Sequence, residues 1–272
     1  MPTVVTAARI RDDLRNNLGI REGDCLAVHS SMKSLGQVDG GARALIDALV
    51  EAIGGPDRGT LLMPCFTQPL DVVDARHTPC RLGLVPETFR TYPGVVLSNC
   101  HTHRVAVLGR DAAELAALHD HTTPLGRGSP FHELARRGGH VLHIGCDLTS
   151  CSLIHVAEHM FPLPFHAAQI AYPSYDKVIT LVCTDGSRRL CPPRENPGDS
   201  HAFGVVQEAM DRYGLIHHGR VGEAACLKLR GLDILAVAMD LLAGDPAALL
   251  CRNPNCSVCA RKRQIAETAN LV

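Results

Sequence analysis

The sequence predicts an α/β protein: an αβα sandwich with a largely parallel central sheet and a smaller C-terminal hairpin and helical subdomain. Three observations carry this. Short apolar runs alternate with segments of three- and four-residue apolar spacing up to about residue 160, the pattern of buried strands covered by helices on both faces. The length of 272 residues suits one such domain with a small appendage. After Phe161-Pro162-Leu163-Pro164 the texture shifts to a hairpin signal and a loop rich in Pro, Asn and Asp.

Each element follows from local chemistry. Cys25 to Ser31 is a buried strand running into a polar turn. Asp39-Gly40-Gly41 opens a helix whose apolar positions are Ala42, Leu45, Ile46, Leu49, Val50 and Ile53, and Gly54-Gly55 stops it. Thr60 to Pro64 is a second buried strand. Pro86 to Tyr92 is a short helix with Pro in its first turn. VVLS and RVAVLG are strands joined by the histidine-rich link His101-Thr102-His103. Ser129-Pro130 caps a helix that ends at Gly138. His140 to Gly145 is a strand, and SCSLIHVAEHM the helix after it. VITLVC, the turn Asp185-Gly186 and SRRL form a hairpin, with helices near 203–213 and 231–243. Residues 1–272 thus read as one domain, 166–200 as an inserted hairpin subdomain, and 250–272 as a cysteine-containing tail.

A formal net charge of −1 gives no footprint for nucleic acid or an anionic membrane surface. No segment is apolar for long enough to span a bilayer, and the N-terminal stretch carries charges where a signal peptide has its apolar core. These features predict a cytoplasmic protein whose 12 Cys are mostly reduced thiols.

Three constellations carry chemistry. Val28-His29-Ser30-Ser31-Met32-Lys33-Ser34-Leu35-Gly36 ends a strand in a turn of hydroxyls, one lysine and one glycine, just ahead of a helix. Backbone N–H groups there can hold an anion, and a serine turn with no ligand has the same look. His155 and Glu158 lie three apart, and His155 and His159 four apart, so they share a helix face. The pattern fits a histidine base oriented by a carboxylate, the H-x-x-E-H pattern of inverted zinc peptidases, or a solvated helix face. His101-Thr102-His103-Arg104 at a strand entry is a ligand-lining link, a metal site or a polar loop; spacing does not choose.

Cys251, Cys256 and Cys259 resemble a zinc knuckle, with three thiolates on a turn-rich loop. A structural zinc there needs a fourth ligand, for which Cys226, Cys191, His217 and His218 are candidates. The alternative is an unmetallated reduced tail.

Taken in order, HSSMKSLG, DGGARALIDALVEAIG, GTLLMPCFT, DARHTPCRLGLVPETFRTYPGVVLS, HTHRVAVLG, PLGRGSPFHELARRGGHVLHIG and SLIHVAEH resemble the aminoglycoside 3-N-acetyltransferase family, closely over about 20–165. The resemblance implies an acetyl-CoA-dependent N-acetyltransferase acting on an amine of an aminoglycoside or similar antibiotic-like molecule. It implies His155 as general base beside Glu158. It places Ser30, Ser31, Lys33, Ser34, Leu35, Gly36, Thr67, Thr102, His103, Arg104 and Val105 along the CoA arm, and suggests a homodimer. Cys65, Cys80 and His101 depart from the family's usual Thr or Ser, Ser, and Pro.

Such chemistry calls for direct transfer in a ternary complex. Cys65 and Cys151, the conceivable nucleophiles, read equally well as packed thiols. Asp71, Asp74, Asp147, Glu158 and Asp199 are the carboxylates available to a cationic acceptor. Competing readings are acylation of a biosynthetic or self-protection amine from another donor, a zinc hydrolase built on His155, Glu158 and His159, and a non-catalytic CoA- or drug-binding protein.

Overall fold

The computed structural model describes residues 4–68, 70–168, 170, 176–193 and 199–269. Its strands are β1 (Cys25–Ser30), β2 (Thr60–Pro64), β3 (Val72–Asp74), β4 (Val96–Leu97), β5 (Val105–Gly109), β6 (His140–Ile144), β7 (Ile179–Val182), β8 (Arg188–Cys191), β9 (His217–Val221) and β10 (Ala224–Arg230). Its α-helices are α1 (Ala7–Leu18), α2 (Gly41–Ala52), α3 (Leu84–Arg90), α4 (Ala112–Ala117), α5 (Pro130–Arg136), α6 (Ser152–Met160), α7 (Gly204–Arg212), α8 (Gly231–Gly244) and α9 (Ser257–Ala269).

Seven strands form one sheet in the order β4-β5-β2-β1-β6-β10-β9. The centre is parallel, with β1 between β2 and β6. The flanks run antiparallel: β5 on β2, β4 on β5, β10 on β6 and β9 on β10. The sheet is therefore mixed: parallel at its centre, antiparallel from β2 and β6 outward, and closed at each edge by a sequence-adjacent pair, β4 with β5 and β9 with β10.

Both faces are covered, which explains the unbroken apolar runs. Successive side chains on a strand point to opposite faces. Leu26, Val28, Leu61, Met63, Ala106, Leu108, Leu142 and Ile144 pack with α1, α2 and α3 through Ile10, Leu14, Leu45, Leu49 and Phe89. Their neighbours Ala27, Leu62, Val105, Val107 and Val141 pack on the other side with Phe131, Ile154, Met210 and Ile234 of α5 to α8.

The expected hairpin forms as β7 and β8 around Gly186, whose positive φ of 87° closes the turn. It pairs in parallel with β3 from far upstream to make a separate three-stranded sheet. Its small core is Val73, Ala75, Ile179, Leu181 and Cys183. Much of the Pro-, Asn- and Asp-rich loop lies outside the described residues. The tail assigned to 250–272 contains a helix, α9, rather than only a loop. Among the described residues no helix is long and apolar enough to cross a membrane.

Candidate active site

A cavity of about 560 Å³ opens at the carboxyl ends of the parallel strands. This is where open α/β sheets place their ligands. Val28, His29 and Ser30 from the end of β1, Pro64 from the end of β2, and Cys146 beyond β6 form its floor. His103 ahead of β5 forms a wall, and Ser152 and His155 on α6 face it.

His155 and Glu158 are one helical turn apart, and the ring Nδ1 lies 2.7 Å from Glu158 Oε2. The imidazole is 13 % exposed and the carboxylate 1 %. Burial pushes the Glu158 carboxyl up. The hydrogen bond and charge of His155 and the Lys262 ammonium oppose that rise. Phe203, fully buried, meets the His155 ring edge-on at 4.7 Å. The imidazole is thus fixed on two sides and open on the cavity side.

The floor carries a second pair of rings. His29 and His143 are register partners on β1 and β6 and stack at 4.9 Å. Burial holds His29 well below the ordinary histidine value and His143 at about 3, so both are neutral.

The serine turn sits beside the cavity. Ser30 lines it. Ser34 Oγ donates to Gly145 O and to Ser31 Oγ at 3.1 Å each, tying the turn to the end of β6. Lys33 is exposed. Gly36 has φ of 83°, and a Cβ there would meet Glu223.

The remaining channel residues separate. Leu35, Thr67, Arg104 and Val105 are fully buried and lie outside the cavity lining. Thr67 Oγ1 donates to His101 O at 2.7 Å. Thr102 is buried and its Oγ1 contacts His103 Nδ1 at 3.0 Å. The Arg104 guanidinium turns inward, donating to Ala75 O at 2.6 Å and Thr78 O at 2.8 Å. The guanidinium therefore points away from the cavity, into the loop after β3.

The two histidines of the H-x-x-E-H pattern do not converge. His155 lines this cavity, whereas His159 lines a second one beside His119 and Arg189. Glu158 bonds His155 directly. A shared metal on this helix, and with it the zinc-hydrolase reading, loses its geometric basis. Cys151 also lines the cavity, but burial pushes its thiol up to about 12, against a nucleophilic role.

Of the five carboxylates offered for a cationic acceptor, Asp199 is the one in the cavity wall. Asp71 pairs outward with Lys177. Asp74 accepts from the Arg76 and His77 N–H groups, and Asp147 caps a short turn. Glu158 lies buried beneath His155.

Asp199 also supplies what the cysteine tail lacked. Its Oδ2 accepts from Cys251 and Cys256 Sγ at 2.8 and 3.0 Å, with Cys259 Sγ at 3.5 Å. Among the described residues this is the cluster able to hold a metal ion. The fourth-ligand candidates named from sequence lie elsewhere: Cys226 packs in the sheet core, Cys191 ends β8, and His217 and His218 bond Asn17 O and Asp211. Spacing within the tail could not have found Asp199, which lies 52 residues upstream of Cys251.

Comparison with known proteins places this architecture. Residues 27–243 match the model of the aminoglycoside 3-N-acetyltransferase family. Aminoglycoside N(3)-acetyltransferase IX of Micromonospora chalcea is 34 % identical over 176 residues, 57 % of this chain and 62 % of that protein, so the match spans less than two thirds of it. Aminoglycoside N(3)-acetyltransferase VII of Streptomyces paromomycinus is 34 % identical over 252 residues, 84 % of this chain and 83 % of that one. The crystal structure of a histidine-to-alanine mutant of the aminoglycoside acetyltransferase AAC(3)-IVa in complex with a gentamicin superposes with a TM-score of 0.83 at 28 % identity, covering 97 % of this chain and 98 % of that one. A cavity at the strand ends, walled by a histidine–carboxylate helix and matched by a family model over most of the sequence, makes this chain a member of the aminoglycoside 3-N-acetyltransferase family.

Proposed function

We propose that the chain transfers an acetyl group from acetyl-CoA directly to an amine of an aminoglycoside-like small molecule, with His155 as general base. The observation that carries this is the His155–Glu158 pair at the wall of the strand-end cavity.

An aliphatic ammonium is no nucleophile until it loses a proton. With Glu158 accepting at Nδ1, the ring proton sits on Nδ1 and Nε2 keeps its lone pair. That atom takes the proton as the amine attacks the thioester carbonyl. The C–S bond then breaks, and the CoA thiolate leaves and is protonated. The base contributes about 10²–10⁴-fold, and holding amine and thioester side by side supplies much of the rest. Ser30 and His103 contact the CoA arm, and the turn from Ser31 to Gly36 with Thr102 runs beside it. Leu35, Thr67 and Val105 hold that wall from behind. A structural zinc on Cys251, Cys256 and Cys259 and a homodimer belong to the same reading.

The test is free-thiol release from acetyl-CoA across a panel of amines. His155→Ala is expected to lower turnover by roughly 10²–10⁴-fold while calorimetry still shows CoA binding. Glu158→Gln is expected to fall between that variant and the wild type. Near-normal turnover in His155→Ala rejects the assignment.

A further inference from the structure

The acyl-transfer chemistry gives the cysteine tail no chemical step, yet the structure ties it through Asp199 to the active-site wall. Cys251, Cys256, Cys259 and Asp199 each present one ligand atom, and these atoms all lie within 4.8 Å of one another. A tetrahedral zinc with thiolates at about 2.3 Å spaces its sulfurs roughly 3.8 Å apart. The four side chains already converge to that scale. Three thiols and a carboxylate are also a donor set that suits zinc, and hard cations such as Mg²⁺ select against it.

The second observation concerns what this cluster holds in place. Asp199 turns one oxygen to the thiols, while its Oδ1 accepts from the His201 N–H at 3.0 Å. Asp199, Ser200 and His201 all front the cavity. Two residues on, Phe203 braces the His155 ring. On the other side, Cys259 belongs to α9, which carries the fully buried Lys262 whose charge steadies Glu158 as a carboxylate. Lys262 Nζ lies 5.1 Å from the Phe165 ring centroid, inside the same packed layer. The Arg263 guanidinium donates to Cys251 O and Leu250 O, pinning the loop to the helix. The cluster therefore joins the segment behind the imidazole to the helix behind its carboxylate.

We infer that Asp199, Cys251, Cys256 and Cys259 bind one zinc ion, and that the ion fixes residues 199–203 as the acceptor side of the cavity. Three thiolates and a carboxylate around a dication form a net dianionic centre, with Asp199 as its face toward the cavity. Such a centre draws in a polycationic amine and orders the wall it docks on. Binding releases the three thiol protons to solvent. The metal site stands on its own residues. The assignment of an acceptor side rests on the proposed acyl transfer.

The experiment uses the purified full chain. Elemental analysis is expected to find about one zinc per chain, and exchange with cobalt(II) to give thiolate-to-cobalt charge-transfer bands with tetrahedral visible bands. Cys256→Ser is expected to lose the metal. Asp199→Asn removes a charged ligand and is expected to lose stoichiometric metal and to raise the KM for a cationic amine, leaving the KM for acetyl-CoA unchanged. Asp199→Cys is expected to restore stoichiometric zinc, which guards against misfolding as the cause. Absence of stoichiometric metal in the wild type, or cobalt bound without the thiolate bands, overturns the site. An unchanged amine KM in metal-depleted Asp199→Asn overturns the role of the ion at the acceptor wall. One zinc per chain with no thiol release for any amine confirms the metal site and rejects the acyl-transfer reading.

Discussion

A guanidinium sealed in the interior destabilises a fold unless its donors are satisfied. Arg104 is fully buried, and it directs its terminal nitrogens to Ala75 O, Thr78 O and Cys65 Sγ, the last at 3.2 Å. Only Nε is left without a partner among the described residues. The Cys65 thiol is drawn down to about 7, first by the hydrogen bond from Cys80 and then by the Arg104 charge, with burial opposing. Arg104 therefore clamps the loop that follows β3 onto the entry of β5. That loop continues to Arg81 and Leu82, which line the cavity. Arg104→Met removes the donors and strands buried carbonyls, so it is expected to cost about 3–5 kcal/mol, read as a lowered urea midpoint. A midpoint within error of the wild type would show that the loop does not depend on this clamp. From sequence, an arginine beside two histidines at a strand entry looks like a ligand contact. Nothing in its spacing reveals that its carbonyl partners arrive from the loop after β3.

At the scale of elements, legibility followed hydrophobicity. β1, β2, β5 and β6 were readable because both their faces are buried, leaving continuous apolar runs. α5 declared itself through its Ser129 cap, and α6, α7 and α8 through apolar spacing. α1 did not, because only the narrow stripe of Ile10, Leu14 and Leu18 is buried in an otherwise charged segment. β9 carries two exposed histidines and an arginine on an edge, so it lacks the apolar signal of an interior strand. β3 is three residues long and gains its identity only from pairing with β7 across more than a hundred residues. One readable strand rests on a backbone detail the sequence shows only as a glycine. Gly109 ends β5 at φ of 128°, and a Cβ there would fall 2.2 Å from Gly59 O. The close approach keeps β5 in register on β2 and so sets where His103 emerges. Gly109→Ala combines a disallowed φ with a backbone clash and is expected to destabilise by at least about 2 kcal/mol, measured by chemical denaturation. An unchanged stability would mean the strand end relaxes freely.

At the scale of the molecule, the stacked histidines make stability depend on pH in a definite direction. His29 and His143 are 6 % and 0 % exposed, and Nε2 of each has no partner among the described residues. Burial lowers both, His143 to about 3. In the unfolded chain each takes up a proton as pH falls below the ordinary histidine value near 6.5, whereas the folded rings stay neutral until far lower. The unfolded state then binds more protons, so stability is full above about pH 6.5 and drains on acidification toward the folded values. Each ring contributes about 1.4 kcal/mol per pH unit in that window. By pH 5 the pair costs roughly 4 kcal/mol, a large share of a typical stability of about 5–15 kcal/mol. Glu158, raised by burial, works in the opposite sense, since it favours the fold at lower pH. The histidine part is isolated by difference: His143→Leu is expected to reduce the proton uptake on unfolding at pH 5 by about one, seen as a flatter dependence of the urea midpoint between about pH 7.5 and 5. Parallel profiles for the two proteins would mean that His143 is charged in the fold or stays neutral in both states. The same neutrality serves the cavity. His29 forms part of its floor, and an uncharged ring there adds no positive charge of its own to repel an entering ammonium.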